Sequence, residues 1–185
     1  MNFLENTGAI VIGTGRHTIR VLALFFETIY WLIAGPFAKR TAKRDSIFEQ
    51  MVFAGVDSLI IVFFVALFTG IVIAMQSAYQ LSRFGANIYV APMVSVGLAR
   101  ELGPVLTSLV VAGRVGAAIT AELGTMKVTE QIEALETMAL NPVRFLVVPR
   151  FLALLVMLPC LVIFADIIGI FGGFLVGVFN LHRDP

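Results

Sequence analysis

From Leu59 to Met75 the chain reads LIIVFFVALFTGIVIAM, 17 apolar or small residues in a row, and no charge follows until Arg83. At a helical rise of about 1.5 Å per residue this run covers the roughly 30 Å hydrocarbon core of a bilayer. Lipid offers no water to the backbone N–H and C=O groups, so they must pair within the segment, and that condition selects a helix. The rest of the sequence agrees: 59% of residues are hydrophobic and 14% charged, against about 45–50% and about 25% in a soluble domain. The chain is expected to be an all-α integral membrane protein.

A second uncharged run, Phe151 to Ala165, resumes after Asp166 as Ile167 to His182, about 30 helix-compatible residues that span with tilt. Pro159 and the glycines at 169, 172, 173 and 177 are expected to kink it or to admit a neighbour closely. Between the two runs, Phe84 to Leu123 is apolar but interrupted by Arg100, Glu101, Arg114 and Glu122. The spans are placed at about 51–80, 89–123 and 151–181. Val21 to Phe37 contains Glu27, and no cleavage signature follows it. Arg16, Arg20 and Glu27 make a narrow polar stripe, with Tyr30 and Trp31 suited to the headgroup level and Gly35-Pro36 as a stop, so residues 1–46 read as an interfacial elbow helix and a basic loop. A short first span is the alternative. Residues 47–185 form the membrane domain.

Arg16, Arg20, Lys39, Arg40, Lys43 and Arg44 precede the first span, the next loop has only Arg83, and Lys127, Arg144 and Arg150 flank the polar segment after the second. The positive-inside rule therefore puts the N-terminus and residues 123–150 in the cytoplasm, and the 82–90 loop and C-terminal end on the other side. A net charge of +1 gives no basic excess for nucleic acid. Cys160 is the single cysteine, and no Cys/His spacing suits a metal. Gly13-Thr-Gly15 does not begin a phosphate-binding loop, and His17 and His182 have no catalytic partner at an interpretable spacing. No catalytic residue is assigned.

Four constellations remain. Gly113, Gly116, Ala117 and Ala121, with Ala112, Thr120 and Gly124, recur at three- and four-residue spacing and offer a helix-packing face. Arg100 and Glu101 are adjacent, so they point about 100° apart and cannot simply neutralise each other; charges at that depth need a partner, a cavity or a polar ligand. They read equally as a structural ion pair with another helix and as a lipid-headgroup or cavity site. Asp166 is similarly divided between a buried hydrogen bond and a site role, and Phe84, at the head of the same polar-interrupted segment, completes the lipid-pocket candidates. Arg114 and Glu122 are expected to snorkel. Finally, Met126 to Leu140 carries Val128, Ile132, Leu135 and Ala139 on one face and Glu130, Glu133 and Glu136 on the other, an amphipathic cytoplasmic helix stopped by Asn141-Pro142. Its acidity disfavours an anionic lipid surface and favours a protein partner.

The stretch ARELGPVLTSLVVAGRVGAAITAELGTMKVTEQIEALETMALNPVRFLVVPR, Ala99 to Arg150, resembles the core signature of MlaE-type permeases, the membrane subunits of MCE-associated ABC transporters. The likeness extends through GVDSLIIVFFVALFTGIVIAMQ (Gly55 to Gln76) and through Pro159 and Gly169-Ile-Phe-Gly-Gly173. It implies a homodimeric permease in the Gram-negative inner membrane, with an ATPase subunit that binds ATP and Mg, a STAS-domain protein and a periplasmic MCE-domain ring. The implied cargo is phospholipid moved between the inner and outer membranes, which maintains outer-membrane asymmetry. It also makes the segment after the second span the coupling helix, here Glu130 through Leu140, with Glu130, Ile132, Glu133, Leu135, Glu136 and Ala139 as contacts to the ATPase. The chain itself is expected to be no enzyme and to hold no cofactor. Such permeases carry two further membrane helices, so this sequence is either a fragment or lacks two helices outright; a fragment is the expectation, because Leu181-His-Arg-Asp-Pro185 reads as the start of a periplasmic loop. A non-transporting membrane anchor or scaffold is the alternative function; an ion channel lacks a filter motif.

Overall fold

The computed structural model describes residues 3–37 and 44–181. Helix α1 (Phe3–Phe37) is followed by α2 (Arg44–Ala54), a short 3-10 turn (Val56–Ser58), α3 (Leu59–Ser82), α4 (Val90–Gly97), α5 (Gly103–Val128), α6 (Gln131–Thr137) and α7 (Val148–Leu181). No strand occurs among the described residues. Three helical stretches are long and apolar enough to cross a membrane: Asp45–Ser82, Asn87–Val128 and Val143–Val178. These are the three expected spans, each reaching beyond one or both of its expected ends. The basic positions Lys39, Arg40 and Lys43 and the stretch His182 to Pro185 lie outside the described residues.

The second span joins a shorter helix, α4, to a longer one, α5, through a wide π-turn, Leu98–Leu102, and the third span opens on such a turn, Val143–Val147, just before α7. The cause is legible. Pro104 and Pro149 each stand two residues past the end of their turn, and a proline has no N–H to donate while its ring crowds the carbonyl four residues earlier, here Arg100 and Phe145. Widening the turn separates ring from carbonyl, and the Gly103 N–H then reaches Leu98 O and the Val148 N–H reaches Val143 O. Pro159, by contrast, lies inside α7 with helix on both sides.

The helices pack around α7, which lies along α3 and also meets α2 and α5. One core cluster joins Ala54, Val62, Val111, Val115, Leu161 and Ala165; a second joins Ala74, Val94 and Leu98. Close approach of α3 and α7 depends on glycine. A Cβ at Gly70 would stand 2.7 Å from the carbonyl carbon of Gly169 and nearer still to its oxygen, and one at Gly172 would stand 2.7 Å from the Leu67 oxygen. Gly173 meets Val94, while Gly177 has nothing within 4 Å. The glycines expected to admit a neighbour thus do so at three positions of four. About a fifth of each span's apolar window is buried within the chain, so most of its surface is left for lipid or other helices.

Candidate functional site

The ion pairs among the described residues gather where the first span begins, the second ends and the third begins. Arg114 does not snorkel. Its Nη1 donates to Ser58 Oγ at 2.7 Å and to Phe53 O at 3.2 Å, its guanidinium lies over the Phe53 ring, and Nη2 is 3.7 Å from Asp57 Oδ2. The planar fork thereby fastens α5 to the α2–α3 junction, where backbone carbonyls are left over by the break between helices. Glu122 does not snorkel either: its Oε1 is 2.6 Å from Nη2 of Arg150, whose side chain is only 8% exposed. Expectation failed in both cases because the partners come from distant parts of the chain, and an ion pair satisfies a charge near the membrane without extending it to water.

The expected helix over residues 126–140 is divided. α5 runs on to Val128, Glu130 takes a left-handed conformation (φ 56°), α6 covers Gln131–Thr137 alone, and Ala139 is left-handed again (φ 55°). Ile132 and Leu135 are partly covered, whereas Glu130, Glu133, Glu136 and Ala139 are exposed. The apolar face is therefore shorter than the four-residue stripe read from the sequence, and Val128, 85% exposed, is not part of it. Lys127 Nζ donates to Glu133 Oε1 at 2.7 Å across the turn, and this bond and charge hold the Glu133 carboxyl below its ordinary value.

After α6, Asn141 turns the chain back: its Oδ1 accepts from the N–H groups of Val143 and Arg144, at 2.9 and 3.3 Å. Its Nδ2 donates to Glu27 Oε1 of α1 at 2.9 Å, and the Arg144 guanidinium lies over the Trp31 ring, 5.2 Å from its centroid. Glu27, which the sequence placed only as part of a polar stripe, is the attachment of α1 to the segment between the second and third spans. α1 ends at Phe37, one residue past Pro36.

The lipid-pocket candidates do not form one group. Arg100 and Glu101 lie in the first π-turn, exposed, and make no ion pair or hydrogen bond with the described residues. Asp166 is close behind that turn, packed against Gly103 and partly buried, with Oδ1 enclosed and without a hydrogen-bond partner. Phe84 stands apart in the turn after α3, 84% exposed. On α5, a Cβ added at Gly113 or Gly116 would meet nothing within 4 Å and Ala117 and Ala121 are exposed, so no helix among the described residues covers that face. Among the described residues no His, Cys, Asp and Glu cluster could hold a metal.

Sequence reasoning missed an apolar cavity of about 480 Å³ between the ends of α3, α4 and α7, opposite the end where the ion pairs gather. Three pairs of small residues line it at four-residue spacing, Ala74 with Ala78, Ala91 with Ser95 and Gly173 with Gly177. Each pair leaves out side-chain volume on one helix face, and that shared spacing on three neighbouring helices was the available signal.

Three membrane-length helices joined by a polar segment that folds back onto an N-terminal helix define a multi-pass membrane protein. Residues 47–185 match the family model for permease MlaE, and the chain belongs to that family. It is 46% identical to the intermembrane phospholipid transport system permease protein MlaE of Haemophilus influenzae, an alignment covering 96% of this chain and 66% of that protein. A probable ABC transporter permease protein of Rickettsia typhi is 45% identical over 91% of this chain and 66% of its own length. One from Synechocystis is 39% identical, over 87% and 62%. The chain thus spans about two thirds of the length of these relatives.

Proposed function

We propose that this chain is part of the permease subunit of an ATP-driven phospholipid transporter in a Gram-negative inner membrane, moving lipid between the inner and outer membranes and so maintaining outer-membrane asymmetry. The observation that carries the proposal is the exposed polar segment from Glu130 to Leu140, set between two spans and tied to α1 by Glu27 and Trp31. A chain whose sequence has no phosphate-binding loop can draw on ATP only through contact with a subunit that has one, and this segment offers α6 to it. Glu130, Glu133, Glu136 and Ala139 supply the exposed contacts; Ile132 and Leu135 set the helix on its base. ATP and Mg belong to that partner.

Further parts of the assembly are an MCE-domain ring on the periplasmic side, a STAS-domain protein on the cytoplasmic side, and a second copy of the permease packed on the uncovered face of Gly113, Gly116, Ala117 and Ala121. The clustering of ion pairs at the end bearing residues 114–150 supports a cytoplasmic location for that end. The apolar cavity at the other end has a volume in the range of ligand pockets, which suits a hydrophobic cargo. Arg100 and Glu101, charged and without a partner among the described residues, are the groups that meet the lipid headgroup.

The test is reconstitution of the complete permease with its ATPase in proteoliposomes. Leu135→Asp places a charge on the covered side of α6, at about 1–3 kcal/mol by mutational measures of burying an unpaired polar group. Charge reversal at Glu133 or Glu136 probes the exposed side. Lost ATPase capture, or ATP turnover without lipid movement, supports the proposal; unchanged binding and transport in all three variants sinks it and leaves the scaffold function.

A further inference from the structure

A small cavity of about 20 Å³ lies where α3, α5 and α7 meet the first π-turn. Its wall is mostly aliphatic, but it includes three polar side chains, one from each helix: Thr69, Thr107 and Asp166. All three are without partners among the described residues. Thr28, Thr120 and Thr129 return their hydroxyls to the carbonyl four residues earlier, the ordinary way for a helical threonine to be satisfied. Thr69 and Thr107 make no such bond, although Thr107 is 3% exposed. Asp166 Oδ1 is enclosed and unbonded.

Cavities that remain empty in proteins are apolar, and a polar one fills when it has room for a water and two to four partners to hold it. The volume here exceeds the roughly 10–15 Å³ that one water needs, and Thr69, Thr107 and Asp166 are the polar side chains of its wall from which partners can come. A dehydrated divalent cation is a poor occupant, since calcium takes about 6–8 oxygen ligands. We infer that Thr69, Thr107 and Asp166 hold a single ordered water that ties the three spans together behind the π-turn carrying Arg100 and Glu101.

Gly103 sets the position of the site. Asp166 Oδ1 occupies the space a Cβ would take there, and that Cβ would also come within 2.9 Å of Leu98 O. The carboxyl is thus seated against the backbone of the π-turn itself. Asp166 is a positioning residue: through the water and the Gly103 contact it fixes the orientation of the turn. That the turn then presents Arg100 and Glu101 to lipid rests on the function proposed above, whereas the hydration site does not.

The experiment uses the complete permease–ATPase complex in nanodiscs. Hydroxyl radicals generated by a short X-ray pulse oxidise side chains beside ordered water. Leu98, 3% exposed, and Leu102 line the cavity and are expected to be oxidised in the wild type and in Asp166→Asn. Oxidation is expected to be lost in Asp166→Leu, which keeps the branched shape, and in Thr107→Val, which keeps folding testable if the leucine variant fails. In a Cys160→Ala background, thiol labelling of Glu101→Cys should change several-fold with Asp166→Leu and return with Asp166→Asn, while labelling of Ala86→Cys stays constant. A general loss of structure would move both. Absent oxidation in the wild type, equal oxidation in all variants, or a signal that depends on sodium would overturn the water site. Lipid transport by the wild type, read in the same preparation, reports separately on the proposed function.

Discussion

Gly70→Ala tests the contact on which the α3–α7 pair is built. The added Cβ would lie 2.7 Å from the Gly169 carbonyl carbon, where ordinary contact begins at 3.4 Å, so the helices must separate by at least about 0.7 Å at that level. The obstacle is backbone, which has no rotamer to retreat into. The same two helices are in contact at Gly172 and Leu67, 2.7 Å for a Cβ placed at Gly172, and any separation loosens that contact as well. Overpacking of this kind costs about 1–3 kcal/mol; with backbone on the far side, we expect a value near the upper end, about 3 kcal/mol. Gly97→Ala is the control, since nothing lies within 4 Å of its Cβ, and helix propensity alone should leave it neutral or more stable by up to about 1 kcal/mol. Reversible denaturation in mixed micelles gives both values. If Gly70→Ala lies within about 0.5 kcal/mol of Gly97→Ala, the scatter of ordinary surface changes, the account of helix approach is wrong.

Glu122→Ala leaves the nearly enclosed Arg150 guanidinium without its counter-charge. The loss should be about 3 kcal/mol, the low end for breaking a buried pair because Glu122 itself is partly exposed, and the double change Glu122→Leu with Arg150→Met should recover most of it in a double-mutant cycle. Glu27→Leu removes the acceptor for Asn141; we expect a cross-link between cysteines placed on α1 and beside Asn141 to form more slowly, with assembly retained. The lowered carboxyl of Glu133 gives a pH dependence with a definite sign: its contribution is present above the ordinary glutamate value of 4.5 and is lost as pH falls through the lower folded value. Amide exchange of Gln131–Thr137 should therefore quicken below that range, and high salt should shrink the effect, since the pair is exposed.

The three spans were legible because spanning depends on the length and apolarity of one continuous stretch, a property read locally. The wide turns had a local mark as well, in Pro104 and Pro149. The anchoring of Arg114 and Glu122 had none. Arg114 reaches Phe53 and Ser58, and Asn141 reaches Glu27, across separations of 61, 56 and 114 residues, and no periodicity within one helix encodes such a meeting. The division of the 126–140 helix was hidden for a different reason. Its breaks fall on Glu130 and Ala139 in left-handed conformations, where glycine or asparagine would have announced a turn. Of the candidate site, adjacency said only that Arg100 and Glu101 do not neutralise each other and left open an ion pair with another helix, while the enclosure of Asp166 required knowing that Gly103 faces it.

The enclosed line down the second span is Val94, Leu98, Gly103, Thr107, Val111 and Val115. Its steps are four residues, except for the single step of five across the turn between Leu98 and Gly103. The two halves of the span are thus wound out of phase by one residue, about 100° of helix. A helical wheel drawn through all of it would assign the inner face correctly on one side of the turn and wrongly on the other. Deleting one residue between 98 and 103 would not merely shorten the span. It would bring the halves into a common phase, rolling Val94 away from Ala74 and Gly173 while α5 stayed in place, so the face that α4 shows to α3 and α7 is set by one residue of chain length.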